Sequence, residues 1–349
     1  MIVVFAPYGR NEVTAAAIRV ADHAAATGRP VRFVAAGTPE RRVSARWDGK
    51  VTSARDKGVY EAARGADTCV WFYPSAAHLK MATTVAAKAR QVLVPSWHAV
   101  RPGDREAVHK FDLLVCPTAD ALAAFRREFG KPAGLEARHA TFDAGLEPAA
   151  RERPPGGRLR LLVYCDGASV DECGALTLHK VDQLAGLAKD AAVTVYSSRA
   201  WARRERATLA GLVETYGRRL AVEAQGTWES QAEAFSRHDY LILPAVRSDF
   251  GLTAARAQAC GLPVVAYKVS PFDAVVADGS SGFLVECETG RGWLGAPSAM
   301  PASVRFLDRC VDAVAEPSAL AALRANDWGL AERAKKFARF WSGVFDGKF

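Results

Sequence analysis

"HDYLILPAVRSDFGLTAARAQACGLPVVAYKVSPFDAVVADGSSGFLVE", residues 238–286, carries a strand, a helix and a second strand in one pass. "YLILPA" (240–245) is a short apolar run of strand type, and "PVVAYK" (263–268) is another. Between them a loop ends in "SDFGL" and runs into the helical stretch "TAARAQACG". Two strands joined through a helix form the unit of a parallel sheet. The amides near Phe250, Gly251 and Leu252 then stand at a helix N-terminus, where unsatisfied N–H groups and the helix dipole suit a phosphate. Gly251 lets a backbone come close to such a group.

The same alternation extends upstream. "RLRLLVYC" (158–165), a helix around 172–189, "AVTVYSS" (192–198), a helix around 201–217 and "LAVEAQ" (220–225) precede the opening stretch. An independent series fills the first 145 residues: "IVVFAP" (2–7), a helix capped by Asn11 and stopped by Gly28 and Pro30, then "VRFVAAG" (31–37), "TCVWFYP" (68–74), "QVLVPSWHAV" (91–100), "FDLLVCP" (111–117) and a helix over 119–129. "LEPAARERPPGG" (146–157) breaks the pattern with paired prolines and glycines. The expected fold is therefore α/β, with two Rossmann-like, doubly wound parallel sheets facing a cleft. The domains are expected at 1–147 and 158–328, with a linker at 148–157. A last helix near 329–345 shows an apolar face of Phe337, Phe340, Trp341 and Val344, which is expected to pack back on the first domain.

Composition bounds the function. The 349 residues are 50% apolar and 24% charged, an ordinary globular balance. No apolar run is long enough to span a bilayer, and the first residues read as a strand rather than a signal peptide, so a cytoplasmic location is expected. Seven cysteines without a CxxC pair read as small buried hydrophobes in a reducing compartment, and no histidine spacing suggests a metal. The net charge of +8 is concentrated in the first 150 residues, which hold 21 Lys and Arg against 15 Asp and Glu. "RRVSARWDGKVTSARDK" (41–57) is its densest part and reads as a loop, either a solvated face or a contact for a polyanion.

The 238–286 stretch resembles the donor half of the GT-B retaining glycosyltransferases of family 4. Asp239, Pro244, Phe250, Gly251, Leu252, Ala257, Ala259, Gly261, Pro263, Val264, Asp278, Gly279, Gly282 and Phe283 stand in register with that family's pattern. "GTWESQAEAFSRHDY" (226–240) is similar to its nucleotide-base segment, "HKVDQLAGLAK" (179–189) to a helix with a basic residue, and "VLVPSWH" (92–98) to a strand ending in a donor-facing histidine. The likeness implies a GT-B fold and transfer of a sugar from a nucleoside-diphosphate sugar, with no further cofactor and no metal. It also implies donor contacts from Gly9, Arg10, Trp228, Ser248, Asp249, Phe250, Gly251 and Leu252, and catalytic roles for His98, Lys180 and Arg256.

One departure matters. The family's Glu-x7-Glu pair is absent, and its two positions hold Ser248 and Arg256. Ser248 can still share one hydrogen bond, whereas a guanidinium only donates, so Arg256 is either a cation adapted to the diphosphate or a mark of a decayed site. In the adapted reading Lys180, Arg256 and the 250–252 amides stabilise the leaving phosphate, which itself takes the acceptor's proton. The acceptor is expected to be anionic, contacted by Arg41, Arg42, Arg46 and Trp47. Nucleic acid, such as a hydroxymethylated pyrimidine in DNA, is slightly favoured over a membrane glycolipid or polysaccharide precursor. A non-catalytic nucleotide-sugar-binding protein and an epimerase of the same architecture stay open. The sequence does not fix an oligomeric state.

Overall fold

The computed structural model describes residues 1–349 apart from 10, 37, 55–56, 73–78, 80–81, 83–88, 98–99, 131–133, 146–157, 166–173, 188, 198–200, 202, 225–226, 228, 292–296, 300–304 and 316. The chain divides into two units. The first holds Met1–Asp143, Arg291–Ala296 and Ala331–Phe349, and the second Ala144–Gly290 and Pro297–Leu330. The segment read as a linker, 148–157, lies outside the described residues.

In the first unit β1 (Ile2–Ala6), β2 (Val31–Ala36), β3 (Thr52–Ala54), β4 (Thr68–Phe72), β5 (Arg90–Val94), β6 (Leu113–Cys116) and β7 (Glu136–His139) form one sheet in the order β3-β2-β1-β4-β5-β6-β7. The strand pairings within it are parallel. Helices α1 (Glu12–Ala26), α2 (Lys57–Ala63), α3 (Arg105–Val108) and α4 (Ala119–Phe129) connect them. Asn11 caps α1 by accepting the Thr14 amide at 2.8 Å, and Thr118 caps α4 through the Ala121 amide at 3.0 Å. Side chains from alternating strand positions, among them Val3, Phe5, Trp71, Leu93 and Leu114, meet Phe125 and Phe129 of α4 in the core.

Sequence reading missed the edge strand β3 and gave no bounds for β7, the last strand expected after the 117–130 segment. β3 lies inside the basic stretch read as a loop, and α2 starts at that stretch's last residue, Lys57. β3 is three residues long with Thr52 and Ser53 exposed, so no apolar alternation announces it, and its hydrogen bonds to β2 alone make it a strand. β7 is likewise half-polar, as an edge position permits.

The C-terminal helix Leu330–Phe345 belongs to the first unit and packs on α1. Phe337, Trp341 and Val344 are fully buried, and Phe142 meets both Phe337 and Trp341. Arg19 of α1 grips Asp143 through Nε and a second guanidinium nitrogen, at 2.5 and 2.7 Å, while its guanidinium lies 4.9 Å from the Phe337 ring centre. Arg29 and Arg90 donate to the carbonyls of Phe345 and Val344, and His23 meets Ser342 Oγ at 3.1 Å. Cations on helix-end carbonyls are favoured by the dipole as well as by the hydrogen bond.

The second unit repeats the design. β8 (Leu159–Cys165), β9 (Ala191–Ser197), β10 (Leu220–Ala224), β11 (Tyr240–Leu243), β12 (Val264–Tyr267) and β13 (Gly282–Val285) form a sheet in the order β10-β9-β8-β11-β12-β13, again with parallel pairings. Helices α5 (Gly174–Leu187), α6 (Arg203–Tyr216), α7 (Gln231–Ser236), α8 (Leu252–Ala259), α9 (Phe272–Val275), α10 (Arg305–Ala315) and α11 (Pro317–Ala325) accompany it. Asp239, fully buried before β11, accepts from the Arg160 amide and from Arg324, which ties β8 and α11 to the sheet's centre. Gly282 cannot be replaced cheaply, since a Cβ there would lie 2.0 Å from the Val264 carbonyl oxygen. Among the described residues no helix is long and apolar enough to cross a membrane.

Burial lowers the pKa of His23, and the Arg19 charge adds to this against the opposing pull of Asp143. Burial also leads in lowering His139 and His238. A histidine kept neutral by folding binds its proton more readily when unfolded, so stability is full above the ordinary imidazole pKa of about 6.5 and falls as pH drops below it. Urea unfolding between pH 8 and 5 is expected to show this loss, and His23→Gln is expected to remove part of the slope. An unchanged slope in the variant would contradict the assignment.

Candidate functional site

Ligands of open parallel sheets bind outside the carboxyl ends of the strands. At that edge of the second unit, β11 ends at Leu243 and the chain turns through half-buried Ser248 and Asp249 into α8. The helix starts where it does because Gly251 takes the left-handed conformation, φ +64°. Any Cβ at Gly251 would stand 3.0 Å from Val275 Cγ2 and 3.3 Å from Pro271 Cγ, so both conformation and space require glycine. Phe250 and Leu252, on either side, are buried and anchor the turn.

Two details describe this turn. Gly251 makes its close approach to Val275 and Pro271, within the protein. Its N–H is also engaged, donating to Ser248 Oγ at 2.9 Å. Ser248 thus closes the turn locally through its hydroxyl. The feature at this end that favours an anion is the positive end of the α8 dipole.

Arg256 lies on the second turn of α8 and is buried, with 5% of its surface exposed. Its charge neighbours are Tyr164, near the end of β8, Glu229, Cys260 and Tyr196, near the end of β9. Tyr164 and Tyr196 are partners in the β8–β9 register, with ring centres 6.0 Å apart. Burial lowers the Arg256 pKa to about 10, with Tyr164 and Glu229 the leading groups that hold it up, so the guanidinium remains charged at neutral pH. Burial raises Tyr196 to about 12 against its hydrogen bond with Ser230. The arginine is therefore a buried cation within electrostatic reach of Tyr164, Glu229 and Tyr196 near the carboxyl edge.

Lys180 is buried on α5, its ammonium 5.2 Å from the ring centre of Phe306 and 5.7 Å from that of Tyr267. Two aromatic faces hold this charge by cation–π attraction, a role that sequence spacing did not foresee. His98, Arg10 and Trp228 lie outside the described residues.

The first unit's candidates divide. Gly9 serves the fold: its N–H donates to Thr14 Oγ1 at 3.1 Å, and a Cβ would stand 2.9 Å from Glu40 Oε1. The basic loop is ordered around Asp48, whose Oδ1 accepts from Tyr8 at 2.8 Å and from the amides of Val43 and Ser44 at 3.3 and 3.2 Å. Trp47 faces inward, packing near Phe33 and donating to Asp22 at 2.9 Å, so it is not a surface for a partner as expected. Arg41, Arg42 and Arg46 are exposed, with Arg46 paired to Asp22 at 3.1 Å. Sequence reading missed Tyr164, Tyr196 and Glu229. The two tyrosines were visible as polar aromatics closing apolar runs, a signal that strand-end position makes meaningful.

Residues 175–294 match the family Glycosyl transferases group 1, so the second unit carries a domain of this type. A D-inositol 3-phosphate glycosyltransferase of Mycobacteroides abscessus is 29% identical over 210 residues, covering 58% of this chain and 40% of the relative. One from Stackebrandtia nassauensis is 43% identical over 65 residues, covering 19% of this chain and 15% of the relative. The chain thus spans less than half the length of these curated relatives. Among solved structures, sucrose-phosphate synthase of Thermosynechococcus elongatus superposes with a TM-score of 0.71 at 14% identity, over 100% of this chain and 98% of that one. Anabaena HepE in complex with UDP and glucose gives 0.70 at 14% identity, over 99% and 98%. The fold is that of the GT-B glycosyltransferases, with two parallel-sheet α/β domains.

Ser248→Ala removes one hydrogen bond and is expected to lower the unfolding free energy by about 1 kcal/mol. Gly251→Ala meets both a left-handed φ and a filled space, and is expected to cost more than the ~1–2 kcal/mol of the conformation alone. Urea melts of the two variants check the order; a Gly251→Ala protein as stable as the parent would refute the packing argument.

Proposed function

We propose that this chain transfers a sugar from a nucleoside-diphosphate sugar bound at the carboxyl edge of the second unit. The observation that carries the reading is the start of α8, where a left-handed glycine and a serine-closed turn aim a helix N-terminus outward from that edge. It lies within the segment that matches Glycosyl transferases group 1. HepE, which shares the fold, is described with UDP-glucose, which supports a nucleotide sugar as donor.

The largest charge change in such a reaction is on the departing diphosphate. The α8 dipole and the buried Arg256 cation supply positive potential to it in a region of low dielectric, where electrostatic stabilisation is strongest. Lys180 adds a second buried cation. With cations in these places no metal is required by the reading. In a retaining, front-face course the C–O bond to the phosphate breaks as the acceptor oxygen bonds the same face, and the leaving phosphate takes the acceptor's proton. His98 is assigned to the donor sugar, with Gly9, Arg10, Trp228 and Asp249 in supporting positions.

The acceptor is proposed to be anionic and contacted by the loop of Arg41, Arg42 and Arg46. With Trp47 turned inward, this loop offers cations without its aromatic anchor, which favours nucleic acid over insertion into a bilayer. A second reading, a small phosphorylated polyol, is supported by the relatives named for D-inositol 3-phosphate.

Millimolar UDP or GDP is expected to raise the melting temperature, since binding to the native state alone adds stability. Arg256→Met keeps most of the volume, removes the charge, and is expected to weaken UDP binding by roughly 1.5–3 kcal/mol. If no nucleoside diphosphate shifts the melting point, the donor site proposed here is wrong. Competition between oligonucleotide, anionic vesicles and inositol phosphate separates the acceptors.

A further inference from the structure

In the first unit a cavity of about 260 Å³ lies between the last turn of α4 and the edge strand β7. Its floor is apolar. Phe125 and Phe129 of α4, with ring centres 5.4 Å apart and planes within 24° of parallel, stand there with Leu114 of β6. Its mouth is bordered by the exposed residues Arg126, Gly130 and Arg138. Protein interiors are close-packed, and voids wider than a water molecule are few. This one is braced on both sides. Arg126 Nη2 donates across it to the Ala137 carbonyl of β7 at 2.9 Å, and the Phe129 carbonyl at the end of α4 accepts from His109 Nε2 at 2.9 Å. Phe129 closes α4 and Glu136 opens β7, so the cavity stands toward the amino ends of the strands. Ligands of open parallel sheets bind at the opposite edge.

The two guanidiniums at the mouth differ. Arg138 is paired with Glu136 through Nε at 2.6 Å and through Nη2, so its charge is answered within the protein. Among the described residues Arg126 forms no ion pair, and its hydrogen bond goes to a neutral carbonyl. The rest of its planar donor fork is left for a ligand. The group that complements such a fork is a carboxylate, which accepts two parallel N–H bonds. Volume sets the size of the apolar part. An engineered apolar cavity of about 150 Å³ takes benzene, so this larger one has room for a benzene ring with a short arm. Two near-parallel phenylalanine rings suit a flat partner better than a flexible chain.

We propose that this cavity is a ligand site of the first unit for a small aromatic monocarboxylate. The ring lies against Phe125, Phe129 and Leu114, and the carboxylate pairs with Arg126. The site is separate from the donor site proposed above and does not rest on it.

The test uses the full-length protein and two probes, phenylpropionate and its uncharged amide, phenylpropionamide. The backbone amide resonances of Gly130 and Ala137 are expected to shift saturably with phenylpropionate. Calorimetry is expected to show the amide binding at least about ten-fold more weakly, the factor that one charge-assisted hydrogen bond supplies. Arg126→Gln is expected to bind both probes alike, at the level of the amide on the parent. Ala137 is the register partner of Leu114, so Ala137→Leu adds volume on the floor's side of the strand and is expected to bind neither probe. UDP is not expected to displace phenylpropionate. Shifts that bypass Gly130 and Ala137, or displacement of the probe by UDP, overturn the site. An acid preference that survives Arg126→Gln overturns it as well, as does a parent that binds no phenylpropionate at millimolar concentration. Should either variant not fold, the mapped shifts and the comparison of acid with amide on the parent decide the same question.

Discussion

Everything at the carboxyl edge of the second unit depends on one backbone constraint, the left-handed turn at Gly251. The residue is wedged against Val275 and Pro271, and its amide is held by Ser248 Oγ. That fixes where α8 begins, and so where its dipole points and how deep its second turn lies. Arg256, five residues along from that turn, is buried within electrostatic reach of Tyr164, Tyr196 and Glu229. Moving the start of the helix would rotate a charged guanidinium into apolar packing, at a cost no exposed residue could offset.

The same constraint bears on which side chains suit positions 248 and 256. A carboxylate at 248 would leave the turn to be closed by an acid, whereas the serine does so with a neutral hydroxyl. A carboxylate at 256 would face Glu229 and two phenols, whereas the arginine meets the same groups as a cation. The two side chains suit each other. Both shift the edge toward positive potential, the sign that a diphosphate requires.

The sequence was legible wherever the cause of a feature is local. Asn11 as a cap, Gly251 as a helix start and the alternation of strands with helices all follow from neighbours in the chain, and all appear in the structure. Features whose cause lies far along the chain were not legible. Gly9 is small because of Glu40, Trp47 turns inward because Asp22 accepts its N–H, and Lys180 is held by rings more than 80 residues away. β3 and the bounds of β7 were hidden for a different reason, since edge strands carry polar side chains on both faces and owe their form to a single hydrogen-bonded neighbour. In the candidate site, the helix start could be read, but the acid and tyrosines around Arg256 could not be assigned to it without coordinates.

The return of the C-terminal helix to the first unit has a consequence for synthesis. Both segments of the second unit, Ala144–Gly290 and Pro297–Leu330, lie in the chain between Asp143 and the helix that buries Phe337 and Trp341. As the chain emerges from the ribosome, the seven-stranded sheet is made first yet waits for its last wall, and Phe142 is exposed meanwhile. The second unit has its whole sheet earlier and can close on its own core. The order of completion is thus the reverse of the order of appearance, and the half-built first unit is the species that a chaperone would meet.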